Sequence, residues 1–137
     1  MIGGFHSPME RECLALLLRG TQPVVVCPAR GIENIRLPAA WKQPLAEGRL
    51  LILSPFERKH RRATAGLAVM RNRLVAALAE QVFVAHAGTG SKTGQLCREL
   101  LAKGQTLWTL ASGENNELVG LGAKPVVANG LAGLQQL

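Results

Sequence analysis

Four short apolar runs, at residues 24–27, 50–53, 82–86 and 106–110, recur along the chain, and the segments between them carry helical periodicity. The runs are continuous more than alternating, the pattern of strands covered on both faces. Helix, strand, short helix, strand, long helix, strand, helix, strand is therefore the expected order. Such alternation demands a mostly parallel sheet with helices on both faces, an α/β architecture. With 137 residues, one domain over residues 1–137 is enough to bury a single core.

The first helix is the best signalled. Ser7 is placed to cap it, Pro8 suits its first position, Glu10 completes a Ser-x-x-Glu capping box, and Gly20 follows as a stop. Met9, Cys13, Leu14, Leu16 and Leu17 are its expected buried stripe. The long segment 63–80 shows Leu67, Met70, Leu74, Ala77 and Leu78 at helical spacing, with a break expected near Arg71 and Asn72. A further helix is expected to start near Ser91 or Thr93 and to stop at Gly104. After a loop at 111–116 come a short helix and an edge strand within 122–127. The tail at 128–137 carries no clear signal. Upstream of the first helix the strand that should feed it is almost absent, so the fold is expected to lack its first strand and the chain to be truncated at its N-terminus.

The formal charge of +7 is concentrated. Between Arg49 and Arg73 stand Arg49, Arg58, Lys59, Arg61, Arg62, Arg71 and Arg73 against the single acid Glu57, which accounts for +6 of the +7. A local excess of this kind points to a polyanionic partner, because cations that neutralise phosphates release counterions; the alternative is a solvated basic loop. The run from Arg58 to Arg62 lacks interleaved aromatics, which favours sequence-blind phosphate contact over base stacking. Phe5 and Phe56 are the nearest stacking candidates, and burial in the core is the preferred reading of both.

Two turns resemble phosphate cradles. Gly3, Gly4, His6 and Ser7 precede the first capped helix, where free backbone N–H groups and the helix dipole favour an anion, although a plain capped turn accounts for the same residues. Gly88, Gly90, Ser91, Lys92 and Thr93 follow the third apolar run and open the next helix. This second turn is not a Walker A loop, since G-x-x-x-x-G-K-S/T requires glycine where His86 and Ser91 stand. Both turns are expected at the carboxyl ends of strands, where ligands of open α/β folds bind.

The chain contains no Asp, its three His are dispersed, and Cys13, Cys27 and Cys97 each sit beside aliphatic residues. They read as buried thiols of a reducing cytoplasm rather than a disulfide framework or zinc site, and no cofactor or metal is expected. No nucleophile, base and orienting group fall together, so binding without turnover is the preferred reading over catalysis. No stretch has the length of a transmembrane helix, Met1-Ile2-Gly3-Gly4 is not an export signal, and no membrane partner is expected.

Arg71-Asn72-Arg73-Leu74-Val75-Ala76-Ala77-Leu78 resembles the Arg-Asn-Arg helix segment of the DNA-processing protein A (DprA/Smf) family. Val82-Phe83-Val84 with Gly90, Ser91 and Thr93 is similar to the strand and turn that follow it there, and Ser54-Pro55-Phe56 and Gly122-Ala123 fall in the family's order. The resemblance implies a Rossmann-like three-layer fold of the wider nucleotide-sensing and lysine-decarboxylase-like superfamily. It implies single-stranded DNA as ligand, a role in recombination and transformation beside a RecA-type recombinase, and Arg71, Asn72, Arg73, Gly90, Ser91 and Thr93 as binding positions. With the basic window and the two turns, the candidate set adds Arg61, Arg62, Gly3, Gly4, His6, Ser7, Gly88 and Lys92. A homo-oligomer stands beside these as a candidate assembly. The family's S-G-x-A-x-G-I-D turn is replaced here by Gly3-Gly4-Phe5-His6-Ser7, and the P-G-G-x-G-T-x-x-E signature of the superfamily's hydrolases is absent. A small-nucleotide sensor or nucleotide hydrolase of that superfamily is the second functional reading.

Overall fold

The computed structural model describes residues 1–127, which fall into two compact units, residues 1–77 and residues from 78 onward. Each unit carries its own three-stranded parallel sheet.

In the first unit β1 (Ile2–Gly3), β2 (Val24–Val26) and β3 (Leu50–Ile52) pair in that order, with Ile2 opposite Val25 and Val25 opposite Leu51. The strand feeding the first helix is thus two residues long. It is held by Val25 N–H donating to Met1 O and Cys27 N–H donating to Gly3 O, both at 2.8 Å. Helix α1 (Pro8–Arg19) starts as expected: Ser7 Oγ accepts from Glu10 N–H at 3.3 Å and the Glu10 carboxylate accepts from Ser7 N–H at 2.8 Å. It buries Leu14 and Leu17 against Val24, Val26 and Leu50, with Phe5, Trp41 and Leu45 packed around them. Each such side chain contributes about 1.5–3 kcal/mol through burial. Two members of the expected stripe face solvent instead, Met9 and Leu16, because the face centred on Leu14 and Leu17 leaves them on its flanks. Helix α2 (Ala39–Ala46) connects β2 to β3.

Helix α3 (Ala65–Leu78) runs unbroken through Arg71 and Asn72, contrary to the expected interruption. Its buried positions are Arg71 and Ala76, while Met70 and Leu78 are exposed. The anticipated aliphatic stripe is therefore displaced: the helix turns its arginine inward.

In the second unit β4 (Gln81–Val84), β5 (Thr106–Leu110) and β6 (Lys124–Val126) pair in parallel, in sequence order. Strand β5 alternates, with Leu107 and Thr109 buried. Helix α4 (Lys92–Ala102) packs on β5, burying Cys97 and Leu100, and ends before Gly104, whose φ of 79° suits a residue without a side chain. A short 3-10 turn (Gly113–Asn115) leads into helix α5 (Asn116–Gly120). No described helix is long and apolar enough to cross a membrane. The three cysteines are free thiols, with Cys27 and Cys97 buried and Cys13 half-buried.

Candidate nucleic-acid interface

The first turn is filled by the protein itself. Gly4 lies against the guanidinium of Arg71 so closely that a Cβ at position 4 would overlap it. Arg71 is 5% exposed, donates from Nη1 to Cys27 O at 3.0 Å and from Nε to Asn72 Oδ1 at 2.7 Å. Its charge thus sits at the carboxyl ends of β1 and β2. Burial lowers the pKa of this guanidinium, an effect opposed by the nearby carboxylate of Glu10 and by Cys27. Phe5 takes a left-handed φ of 48° and lays its ring over Gly3. Ser7 and Glu10 satisfy each other in the capping box, which places a carboxylate at the helix N-terminus where a phosphate would otherwise sit. His6 is exposed. Of the residues expected to cradle an anion here, Gly3, Gly4 and Ser7 are engaged in strand, packing and cap.

The resemblance marks Arg71, Asn72 and Arg73 alike as binding positions, and the structure separates them. The structure buries Arg71 and leaves Arg73 on the exposed side of α3, because only the inward position meets the Cys27 carbonyl.

The second turn keeps more of its capacity. Ser91 caps α4, accepting from Gly94 N–H at 3.0 Å, and Ser91 N–H donates to Gly88 O at 3.0 Å. Gly90 has a φ of 75°, and Gly94 can carry no side chain without crowding Gly88 O. The N–H groups of Lys92 and Thr93 lie in the first turn of α4 and so have no intrahelical partner, and no acid stands in that turn. Two carboxylates from the segment after β5 border the turn. Glu117 accepts from Thr89 Oγ1 at 3.2 Å and from Arg98 Nη1 at 3.1 Å, and Glu114 lies 3.5 Å from His86 Nδ1. Behind them Asn115 is buried and donates to Ala85 O and Leu110 O, both at 2.9 Å, tying the ends of β4 and β5 together. Sequence reasoning passed over Asn115 and Glu117, since the 3-10 turn and short helix that carry them match no motif.

The basic window separates into structural and presented charges. Arg49 donates to Gly20 O at 2.8 Å and pairs with Glu47, so it closes the C-terminus of α1. Arg58 pairs with Glu33 and Lys59 with Glu57, each at 3.3 Å between exposed groups. Arg61 and Arg62 are exposed and form no ion pair among the described residues. Their loop is anchored: Gly31 N–H donates to His60 O at 2.8 Å, and a Cβ on Gly31 would lie 2.6 Å from Glu57 O. The Phe56 ring meets His60 edge-on at 6.2 Å, and Ser54 Oγ donates to Arg30 O at 2.6 Å. Thr64 caps α3 through Leu67 N–H.

Burial raises the pKa of all three thiols, that of Cys97 to about 11, and Arg71 pulls that of Cys27 partly back. Each thiol is thereby held in its protonated, less nucleophilic form.

Comparison with solved structures bears on this arrangement. DNA processing protein A from Streptococcus pneumoniae matches 96% of this chain and 50% of its own, with a TM-score of 0.69 and 21% identity. The fold is the Rossmann-like α/β fold of DprA. A structure of DNA processing protein A from Helicobacter pylori, studied for its single-stranded DNA binding mode, matches 82% of this chain and 56% of its own, with a TM-score of 0.57 and 23% identity. This chain spans about half the length of these DprA structures. No family model matches the sequence. No curated protein matches it either.

Proposed function

We propose that this protein is a DprA-like binder of single-stranded DNA that grips the phosphate backbone through its basic loop. The observation that carries the reading is the state of Arg61 and Arg62: exposed, unpaired among the described residues, and borne on a loop anchored by Gly31, Ser54 and Phe56. Unpaired cations on a held loop can neutralise phosphates at little ordering cost. The DprA fold, shared with a protein described as binding single-stranded DNA, supports the ligand class. A role beside a RecA-type recombinase, action of residues 1–137 as one domain, assembly with a second copy and a place in the reducing cytoplasm belong to the same reading. Within the second unit, the Ser91-capped start of α4 favours the other reading, a small nucleotide held by one or two phosphates at Gly88, Gly90, Lys92 and Thr93.

Salt dependence separates the two. Each phosphate neutralised on a single strand adds about −0.7 to the slope of log affinity against log salt. Replacing Arg61 and Arg62 together with Ala should weaken oligo-dT binding whatever the sequence and flatten the slope by roughly 1.4. An intact fold with unchanged affinity and slope would remove the DNA reading.

A further inference from the structure

We infer that Thr64 is a phosphorylation site for a serine/threonine kinase that reads arginines, and that the phosphate it accepts switches off the grip of Arg61 and Arg62 on a single strand. The inference rests on the single-strand reading above and adds the regulation of that loop.

Arg61-Arg62-Ala63-Thr64 sets arginines three and two residues before a hydroxyl, and no other Ser or Thr of the chain has arginine at both positions. A kinase groove lined by carboxylates takes such a pair through charge-assisted hydrogen bonds. The segment is also presented. Residues 61–64 precede α3 and all four are exposed, as are Ala65 and Gly66 at its start. Arg61 and Arg62 form no ion pair among the described residues, so a kinase has no internal partner to displace. Thr64 Oγ1 accepts from Leu67 N–H at 3.2 Å, and among the described residues its own proton meets no acceptor. Freeing that oxygen costs one exposed capping bond, and Gly66 lowers the helical preference of the turn that must open.

In the transfer, Thr64 Oγ1 bonds to the γ-phosphorus of a nucleoside triphosphate as the bond from that phosphorus to the oxygen it shares with the β-phosphorus breaks. The nucleoside diphosphate leaves with the electron pair, and the hydroxyl proton passes to the base of the kinase. The product carries a charge of about −1.5 to −2 near neutral pH. No acid lies in the first turn of α3, and Glu57, the nearest acid in sequence, is paired with Lys59. A phosphate on Thr64 is therefore favoured by the helix dipole and meets two free arginines without an anion to repel it. Those arginines are the cations that a strand's phosphates would use. An attached anion competes for them at a local concentration that a diffusing strand does not match.

The test treats the full chain with ATP and the catalytic subunit of cyclic-AMP-dependent protein kinase, then locates the phosphate by mass spectrometry. Thr64 is expected to carry it. Thr64→Asn keeps a good helix cap and should block the modification, while Arg61→Ala with Arg62→Ala should slow it at least about tenfold. The phosphorylated chain should bind fluorescein-labelled oligo-dT about ten- to thirtyfold more weakly at about 0.1 M salt, with the salt slope flattened by roughly 1.4, as if both arginines had been removed. Thr64→Asn treated with the same kinase and ATP should bind as the untreated chain does. The phosphorus resonance gives a readout independent of DNA. Pairing with the arginines should hold the second phosphate pKa below its usual value of about 6, and salt at about 1 M should return it. Absence of phosphate from Thr64, or phosphorylated Thr64 with unchanged oligo-dT affinity and slope, overturns the inference. If the unmodified chain fails to bind oligo-dT, the single-strand reading falls and the switch with it, whereas strong binding that ignores phosphorylation removes the switch alone.

Discussion

The guanidinium of Arg71 occupies the space that a side chain at position 4 would need, and it donates from there to the carbonyl of Cys27, 44 residues away in sequence. One buried cation thereby joins α3 to the ends of β1 and β2.

A double-mutant cycle measures this relationship. Gly4→Ala should cost about 1–3 kcal/mol through overpacking. In an Arg71→Ala background the same change should be nearly neutral, because the obstructing group is gone. Urea midpoints should therefore give a coupling of at least about 1 kcal/mol between the two positions. Additive effects would mean that the chain relieves the contact elsewhere.

The cap of α1 separates stability from binding. Ser7→Ala removes the acceptor for Glu10 N–H and should lower stability by about 1 kcal/mol. Oligonucleotide affinity should not change, since the Ser7 hydroxyl and N–H are both committed within the capping box. A loss of affinity at unchanged stability would return the first turn to the binding site.

The elements visible in sequence are those with local causes. Ser7, Pro8 and Glu10 act within one turn of each other, Val24 to Val26 are β-branched, and the spacing of Leu14 and Leu17 needs only a helix. What the sequence concealed depends on distant partners. Arg71 looks like a solvated cation until the Cys27 carbonyl is placed beside it, and Arg49 looks like part of a DNA-binding run until it meets the last carbonyls of α1. Met70 carries the spacing of a core residue, but the inward face of α3 is fixed by Arg71, roughly 100° away around the helix. The charge count marks the basic segment but does not distinguish the cations that are already engaged, such as Arg49 and Arg71.

Alkaline pH should expose the buried thiol of Cys97. Its folded pKa, about 11, lies above the ordinary value of 9.0, so the folded state holds its proton more tightly than the unfolded state. The stabilisation this confers is complete below pH 9 and is lost as pH rises from 9 towards 11, where the unfolded chain releases protons first. Unfolding midpoints measured across that interval should fall, and Cys97→Ala should flatten the fall while costing some packing at neutral pH. An equal alkaline decline in the variant would assign the effect to other groups.

The carboxylates beside the second turn give the last prediction. Glu117 accepts from Thr89 and Arg98, and Glu114 stands near His86, so two negative charges lie where an incoming phosphate would approach the start of α4. Replacing both by Gln keeps hydrogen-bonding capacity and removes the repulsion. These groups are well exposed, so each charge is screened and acts as a surface charge, worth a few tenths to about 1 kcal/mol. Affinity for oligo-dT or for a nucleotide held at this turn should therefore rise roughly two- to fivefold at low ionic strength, with the gain fading as salt is added. Lys92→Ala in the same background should cancel part of the increase, because it withdraws the cation nearest the helix start. If the double Gln variant binds as the native chain does at every salt concentration, the Gly88 to Thr93 turn takes no phosphate and binding rests on the basic loop alone.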